Sequence, residues 1–149
     1  MAFSRIELRN FRCFDALSID ISSKSSLFYG KNGCGKTSIL ESIYVASCGR
    51  SFRTSNLESL IKKGSNSFKI EAYDDSSGSI LEVFKTKSKP ISIKINNSLV
   101  TTSELARTFP SFSIDSKTFF YNDNAPDYRR KHLDRGLFIA STHYAKDWF

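Results

Sequence analysis

Hydrophobic and polar positions alternate at the start of the chain: Ile6 and Leu8 between Arg5, Glu7 and Arg9, then Leu17, Ile19 and Ile21 between Ser18, Asp20 and Ser22. A period of two predicts half-buried strands, and the link Asn10-Phe11-Arg12-Cys13-Phe14-Asp15 is short enough for a hairpin. The continuous apolar run Leu27-Phe28-Tyr29 predicts a buried strand. After it the period lengthens, with Ile39, Leu40, Ile43 and Ala46 or Ser47 at helical spacing and Gly49 placed to cap the helix. Ser55 or Asn56 can cap a short helix carrying Leu57, Leu60 and Ile61, closed by Gly64.

A β-rich insert is expected over about 66–100. Phe68, Ile70 and Ala72 give one strand, Asp74 to Gly78 a turn, Ile80 to Phe84 the return, and Ile91, Ile93 and Ile95 a further strand up to Asn96-Asn97. Ser103 opens a helix that must end by Pro110. Pro126 suits the first position of a last helical segment through Leu133 and Leu137, with helical residues reaching Trp148 and Phe149. That ending, without a cap or polar tail, looks like a chain cut inside a domain.

Between the apolar run and the first long helix stands Gly30-Lys31-Asn32-Gly33-Cys34-Gly35-Lys36-Thr37, a complete G-x-x-x-x-G-K-[ST] phosphate-binding loop. A triphosphate needs a ring of backbone N–H donors, and side chains at the glycine positions would block the approach. Lys36 can reach between the β- and γ-phosphates as a point charge, and the Thr37 hydroxyl is placed to ligate the Mg²⁺ that bridges them. ATP and Mg²⁺ are therefore the expected cofactors. The strand–loop–helix order adds the partial positive charge of the helix start to the loop amides.

With 149 residues, 40% hydrophobic and 13% aromatic, the chain has the composition of a single globular domain. No apolar run approaches the ~20 residues that span a bilayer, and Met1 to Asn10 lacks the apolar core of a signal peptide. No membrane partner and a cytoplasmic address are expected. Cys13, Cys34 and Cys48 lack metal or disulfide spacing and read as reduced thiols, while His132 and His143 lie too far apart for a one-turn metal pair. A formal net charge of +7 favours an acidic partner such as nucleic acid. Basic residues cluster at Lys62-Lys63, at Lys85, Lys87, Lys89 and Lys94, and at Arg129-Arg130-Lys131 with Arg135. The last group is the expected DNA contact, against a solvated helix face as the plain alternative.

A P-loop ATPase also needs an acidic strand to hold Mg²⁺ and orient water. The paired acids Asp74-Asp75 precede Ser-Ser-Gly and read as a hairpin turn instead.

The succession Arg5-Ile6-Glu7-Leu8-Arg9-Asn10-Phe11-Arg12, Gly30 to Thr37, Gly49-Arg50-Ser51-Phe52-Arg53, and Pro126-Asp127-Tyr128-Arg129-Arg130 with Leu133-Asp134 resembles the N-terminal part of the RecF family of bacterial DNA replication and repair proteins. The resemblance covers essentially the whole chain. It implies an α/β P-loop NTPase lobe of the ABC or chromosome-maintenance ATPase-head type, here with a β-rich insert. It further implies ATP-dependent binding of single-stranded or gapped duplex DNA, recombination mediator partners, roles in replication, recombinational repair and the SOS response, and a weak ATPase in full-length form. In that family two heads sandwich ATP, each P-loop meeting the other subunit's signature motif, so an ATP-dependent homodimer is implied, with Arg12 near phosphate or, as the plain alternative, on a solvated hairpin tip.

The family's signature motif and acidic strand lie beyond the point where this chain stops, so ATP·Mg²⁺ binding without turnover is expected. Asp115-Ser116-Lys117 and Tyr121 to Asn124 depart from the family pattern, and Phe112 stands where several relatives carry Gln. The alternatives are a fragment with only nucleotide or DNA binding, or the head lobe of another chromosome-maintenance or transport ATPase.

Overall fold

A computed structural model of the chain describes residues 3–21, 25–114, 130, 133, 134, 136–138, 140 and 141. The two alternating segments form the expected hairpin, β1 (Arg5–Phe11) and β2 (Phe14–Asp20), paired antiparallel with Leu8 opposite Leu17. Its turn is tighter than the whole polar link suggested, because Asn10 and Arg12 both adopt left-handed backbone, φ 52° and 53°. Four more strands follow: β3 (Ser67–Asp74), β4 (Ser79–Thr86), β5 (Ser92–Ile95) and β6 (Ser98–Leu99). They continue the same antiparallel sheet in the order β2-β1-β3-β4-β5-β6, since β3 pairs directly with β1. The tight turn before β6 uses Asn96 and Asn97 with φ 48° and 66°, as turn asparagines do.

The inner face of the sheet gathers Ile6, Leu8, Ile70, Ala72, Leu81, Val83 and Ile93. Helix α1 (Lys36–Cys48) adds Val45 and Ala46, and α2 (Thr102–Thr108) adds Leu105. Phe11 and Phe68, both fully buried, meet edge to face at 5.2 Å. Helix α2 starts one residue before the expected Ser103. Its cap is Thr101, whose hydroxyl accepts from the Glu104 amide while Glu104 accepts from the Thr101 amide. Asp74 accepts from the Ser76 amide and from the Ser76 and Ser77 hydroxyls, so Asp74-Asp75 is a turn as expected.

The outer face is polar in a regular way. Glu7, Glu71 and Glu82 stand directly opposite one another across β1, β3 and β4. Such like-charge pairing is unfavourable. It is offset by Lys69, which bridges Glu71 and Glu82 at 3.1 and 2.7 Å, by Arg5 on Glu7 and by Lys94 near Glu82.

Two expectations change. Residues 27–29 carry no strand, and Leu27 and Tyr29 are 85% and 87% exposed, because no described strand pairs with them and a strand exists only through its neighbours. In α1 the buried face follows the expected stripe only in part: Ala46 and Ser47 are buried and Ile43 packs against the core, but Ile39 is only half-buried. Leu40 is half exposed, while Ser38, Glu41, Ser42, Val45 and Ala46 face inward, because the carboxylate on that face finds cationic partners there. Gly49 caps the helix in left-handed backbone as expected.

Residues up to Ser111 form one compact unit and residues from Phe112 onward a second. In the second, residues 130, 133, 134, 136–138 and 140 are helical, as the pattern around Leu133 and Leu137 predicts, and both leucines are exposed. Pro126, Trp148 and Phe149 lie outside the described residues.

Candidate functional site: the P-loop cleft

The loop 30–37 rests on the tip of the β1–β2 hairpin. Gly35 begins α1 with φ 97° and ψ 6°, and a Cβ there would stand 2.4 Å from Cζ of Phe14 and 3.0 Å from Sγ of Cys13. Only glycine allows both that backbone and that approach. Gly33, also left-handed at φ 85°, has open space where its side chain would be. Helix α1 starts without a side-chain cap, so its first N–H groups are free to serve an anion. The Lys36 ammonium curls over the loop and donates to the carbonyls of Gly30 and Lys31 at 2.7 and 2.8 Å, with Cys34 Sγ at 3.8 Å.

The loop opens into a cleft of about 660 Å³ whose wall includes Asn32, Gly33, Gly35, Lys36 and Thr37 together with Arg12, Arg53 and Lys63. Gly30, Lys31 and Cys34 complete the loop and are exposed. A cleft of this size lined by cations and amide donors suits a polyphosphate. For a divalent cation the described residues offer the exposed Thr37 hydroxyl and no group of three or more His, Cys, Asp or Glu. A hydroxyl there can supply one oxygen of a Mg²⁺ shell whose other positions are taken by phosphate, water and carboxylate.

Behind the cleft lies a charged cluster. Arg12 donates from Nε and Nη2 to Oε2 and Oε1 of Glu41 at 2.9 and 2.8 Å, and from Nη1 to the Ser59 carbonyl at 3.0 Å. The hairpin tip is sutured there by Arg12 N–H to the Leu60 carbonyl and Lys62 N–H to the Asn10 carbonyl. The Ser59 and Leu60 carbonyls belong to the 3-10 turn Leu57–Leu60, capped by Asn56 as expected, and Lys62 follows it. Glu41 is fully buried and also accepts from the Ser51 hydroxyl at 2.5 Å and from Arg53 Nη1 at 3.4 Å. Burial pushes its pKa up, but hydrogen bonds from Arg12 and Ser51 and the charges of Arg12 and Arg53 outweigh burial and hold the carboxyl below its ordinary 4.5. Phe52, edge-on to Tyr44 at 5.5 Å, fixes the 50–53 loop against α1.

Arg12 thus sits on the cleft wall, not on a solvated hairpin tip. Pattern reading alone missed Glu41 as a site residue. It shares the inner face of α1 with Ser38, Ser42 and Val45, a face that the stripe of Ile39, Leu40 and Ile43 did not mark, and a carboxylate buried there demands a partner.

Among the other expected contacts, Arg130 is exposed on a helical residue, while Arg129, Lys131 and Arg135 lie outside the described residues. The Lys85–Lys94 cluster is largely absorbed by the sheet. Lys85 is buried, donating to the Lys89 carbonyl with Glu58 at 3.7 Å, and Lys94 faces Glu82. The Lys62 ammonium is paired with Asp15. The three thiols are free, and His132 and His143 lie outside the described residues.

Residues 5–135, from the first strand through the P-loop to the basic segment, match the AAA domain family. The chain belongs to that family. This AAA domain is 32% identical to the DNA replication and repair protein RecF of Hahella chejuensis, 36% to that of Francisella tularensis subsp. novicida and 37% to that of Pseudoalteromonas translucida, over 99% of its own length in each case. It covers 41, 43 and 42% of those proteins, so the chain spans about two fifths of the curated relatives it matches. A solved structure of the recombination mediator protein RecF with ATPrS superimposes with a TM-score of 0.86 at 26% identity, over 99% of this chain and 41% of that one. An SMC ATPase structure matches at TM-score 0.70 and 19% identity, over 89% of this chain and 98% of its own, and shares the fold. The resemblance to the N-terminal part of RecF and the P-loop ATPase-head fold, both expected from the motifs, are borne out.

Proposed function

We propose that this AAA domain binds ATP with Mg²⁺ in the P-loop cleft, as the nucleotide-binding part of a RecF-like protein of DNA replication and recombinational repair. The observation that carries the reading is the convergence of Lys36, Arg12 and Arg53 with the uncapped start of α1 on one cleft of polyphosphate size. Gly30, Lys31, Asn32, Gly33, Cys34 and Gly35 supply backbone donors around the phosphates. Lys36 leaves the Gly30 and Lys31 carbonyls for the β- and γ-phosphates, and Thr37 ligates the metal. Bound Mg²⁺ neutralises phosphate charge. The RecF relatives, one of them solved as RecF-ATP in the RecFOR pathway, support this reading.

On the same grounds we propose DNA, single-stranded or gapped duplex, as the macromolecular partner, contacted by Arg129, Arg130, Lys131 and Arg135. Recombination mediator proteins, an ATP-dependent homodimer, a part in the SOS response and a cytoplasmic location complete the proposal. Among the described residues no helix is long and apolar enough to cross a membrane.

The test is calorimetric titration of ATP·Mg²⁺ into wild type and Lys36→Ala. Losing one charged hydrogen-bonding partner costs about 1.5–3 kcal/mol, or roughly ten- to 150-fold in affinity. Lys36→Ala is expected to bind at least ~10-fold more weakly, with the thermal transition of the nucleotide-free protein nearly unchanged. Equal affinities would overturn the site assignment.

A further inference from the structure

Arg12 and Arg53 share one buried carboxylate, yet they hold it very differently. Arg12 makes two short hydrogen bonds to Glu41 and a third to the Ser59 carbonyl, and its side chain is only 22% exposed. Moving it away would strand a fully buried charge. Arg53 touches Glu41 once, at 3.4 Å, and its side chain is 46% exposed. Its departure leaves Glu41 still paired with Arg12 and Ser51. The cluster therefore contains one fixed cation and one exchangeable cation, both on the cleft wall that carries Lys36.

We propose that Glu41 is a positioning residue for phosphate recognition: it locks Arg12 in place on the cleft wall and tethers Arg53 beside it, and Arg53 transfers from Glu41 to the phosphates of a bound nucleotide. The inference rests on the ATP-binding reading above. Before binding, Glu41 offsets like-charge repulsion between the two guanidinium groups, which keeps them close to the loop. After transfer, Arg12 and Glu41 remain a neutral, fully hydrogen-bonded pair, and the whole charge of Arg53 faces the polyphosphate. Ser51 ties the transfer to its own loop, because its Oγ donates to Glu41 and accepts from the amides of Arg53 and Thr54. The loop can release the Arg53 side chain while its backbone stays anchored.

The experiment measures binding of ATP, ADP and adenosine to wild type, Arg53→Ala, Glu41→Gln and the double variant, with Lys36→Ala as control. Arg53→Ala is expected to weaken ATP by about tenfold, the lower bound for a charged hydrogen bond, ADP by less, and adenosine not at all. Glu41→Gln is expected to weaken ATP in the same order of ligands. Adding Arg53→Ala to it should then cost less than in wild type, because Glu41 acts through Arg53. Should Glu41→Gln fail to fold, Arg12→Lys takes its place, keeping the charge but losing the two-pronged grip, with the same ligand order expected. Strictly additive effects, or equal losses for ATP and adenosine, would overturn the proposal. If Lys36→Ala weakens ATP while Arg53→Ala, Glu41→Gln and Arg12→Lys do not, this inference alone fails. If Lys36→Ala has no effect either, the ATP-binding reading has failed.

Discussion

Gly35 presses against the ring of Phe14 so closely that a single methyl group would stand 2.4 Å from Cζ. The first residue of the β2 strand thus serves as the seat of the phosphate loop, joining the hairpin to the start of α1. Gly35→Ala is expected to suffer both this collision and left-handed strain at φ 97°. A left-handed non-glycine residue alone costs of order 1–3 kcal/mol. Denaturant unfolding should show a loss of at least about 1 kcal/mol, and ATP affinity should fall with it. Adding Phe14→Ala removes the collision but not the strain, so the double variant should recover only part of the loss. Full recovery would mean that the backbone is unstrained.

Phe68 is the buried partner of Phe11, the last residue of β1 before the hairpin turn. Truncating a buried Phe to Ala costs about 3–5 kcal/mol in transfer and cavity terms. Phe68→Ala should show that loss by equilibrium unfolding, whereas removing the exposed Phe84 ring should cost far less. Similar losses for the two would place the core on the wrong face of the sheet.

The depressed pKa of Glu41 makes stability depend on pH. In the unfolded chain the carboxyl titrates near 4.5, and in the fold below it. The unfolded state therefore binds more protons between those values, and stability rises with pH there. The contribution is fully present above the unfolded value and is lost as pH falls through the folded one. The stability gap between wild type and Glu41→Gln should accordingly narrow as pH is lowered below 4.5. Asp74 and Glu104, also depressed by hydrogen bonds, titrate in both proteins and cancel from the difference. A pH-independent gap in chemical denaturation would show that Glu41 is not an ionised partner of Arg12.

For DNA, each phosphate contact adds ~0.9 to the slope of log affinity against log salt on duplex DNA. Replacing Arg129 and Arg130 together by Ala is expected to lower that slope by up to ~2 and to weaken unrelated sequences about equally. Titration at several salt concentrations measures it. An unchanged slope would remove these arginines from the contact, and the buried Lys85 could not replace them.

Local pattern made much of the fold legible. The alternation of Ile6, Leu8, Phe68 and Ile70 gave both the strands and the face they bury, because a period of two leaves little choice once one side must be dry, whereas Ile80 to Phe84, apolar on both sides of Glu82, gave a strand without its face. The P-loop was legible because its glycines answer to backbone geometry. What alternation could not reveal was pairing across the chain. Nothing in Leu27 to Tyr29 distinguishes a strand with a neighbour from one without, and nothing in Ile39, Leu40 and Ile43 says that Glu41 and Ser42 beside them are the fully buried residues. That choice is made by Arg12 and Arg53, which lie 29 and 12 residues from Glu41 in sequence and reach it only after the hairpin and the 50–53 loop have folded.

The ladder of Glu7, Glu71 and Glu82, with its interleaved Arg5, Lys69 and Lys94, has an effect beyond holding three strands together. Its charges nearly cancel one another at short range, so the broad outer surface of the sheet projects little field into solvent. Among the described residues up to Ser111, cationic charge gathers instead on the cleft wall, where Lys36, Arg53 and Lys63 stand. A polyanion approaching this unit would therefore be drawn to the cleft wall in preference to the outer surface of the sheet.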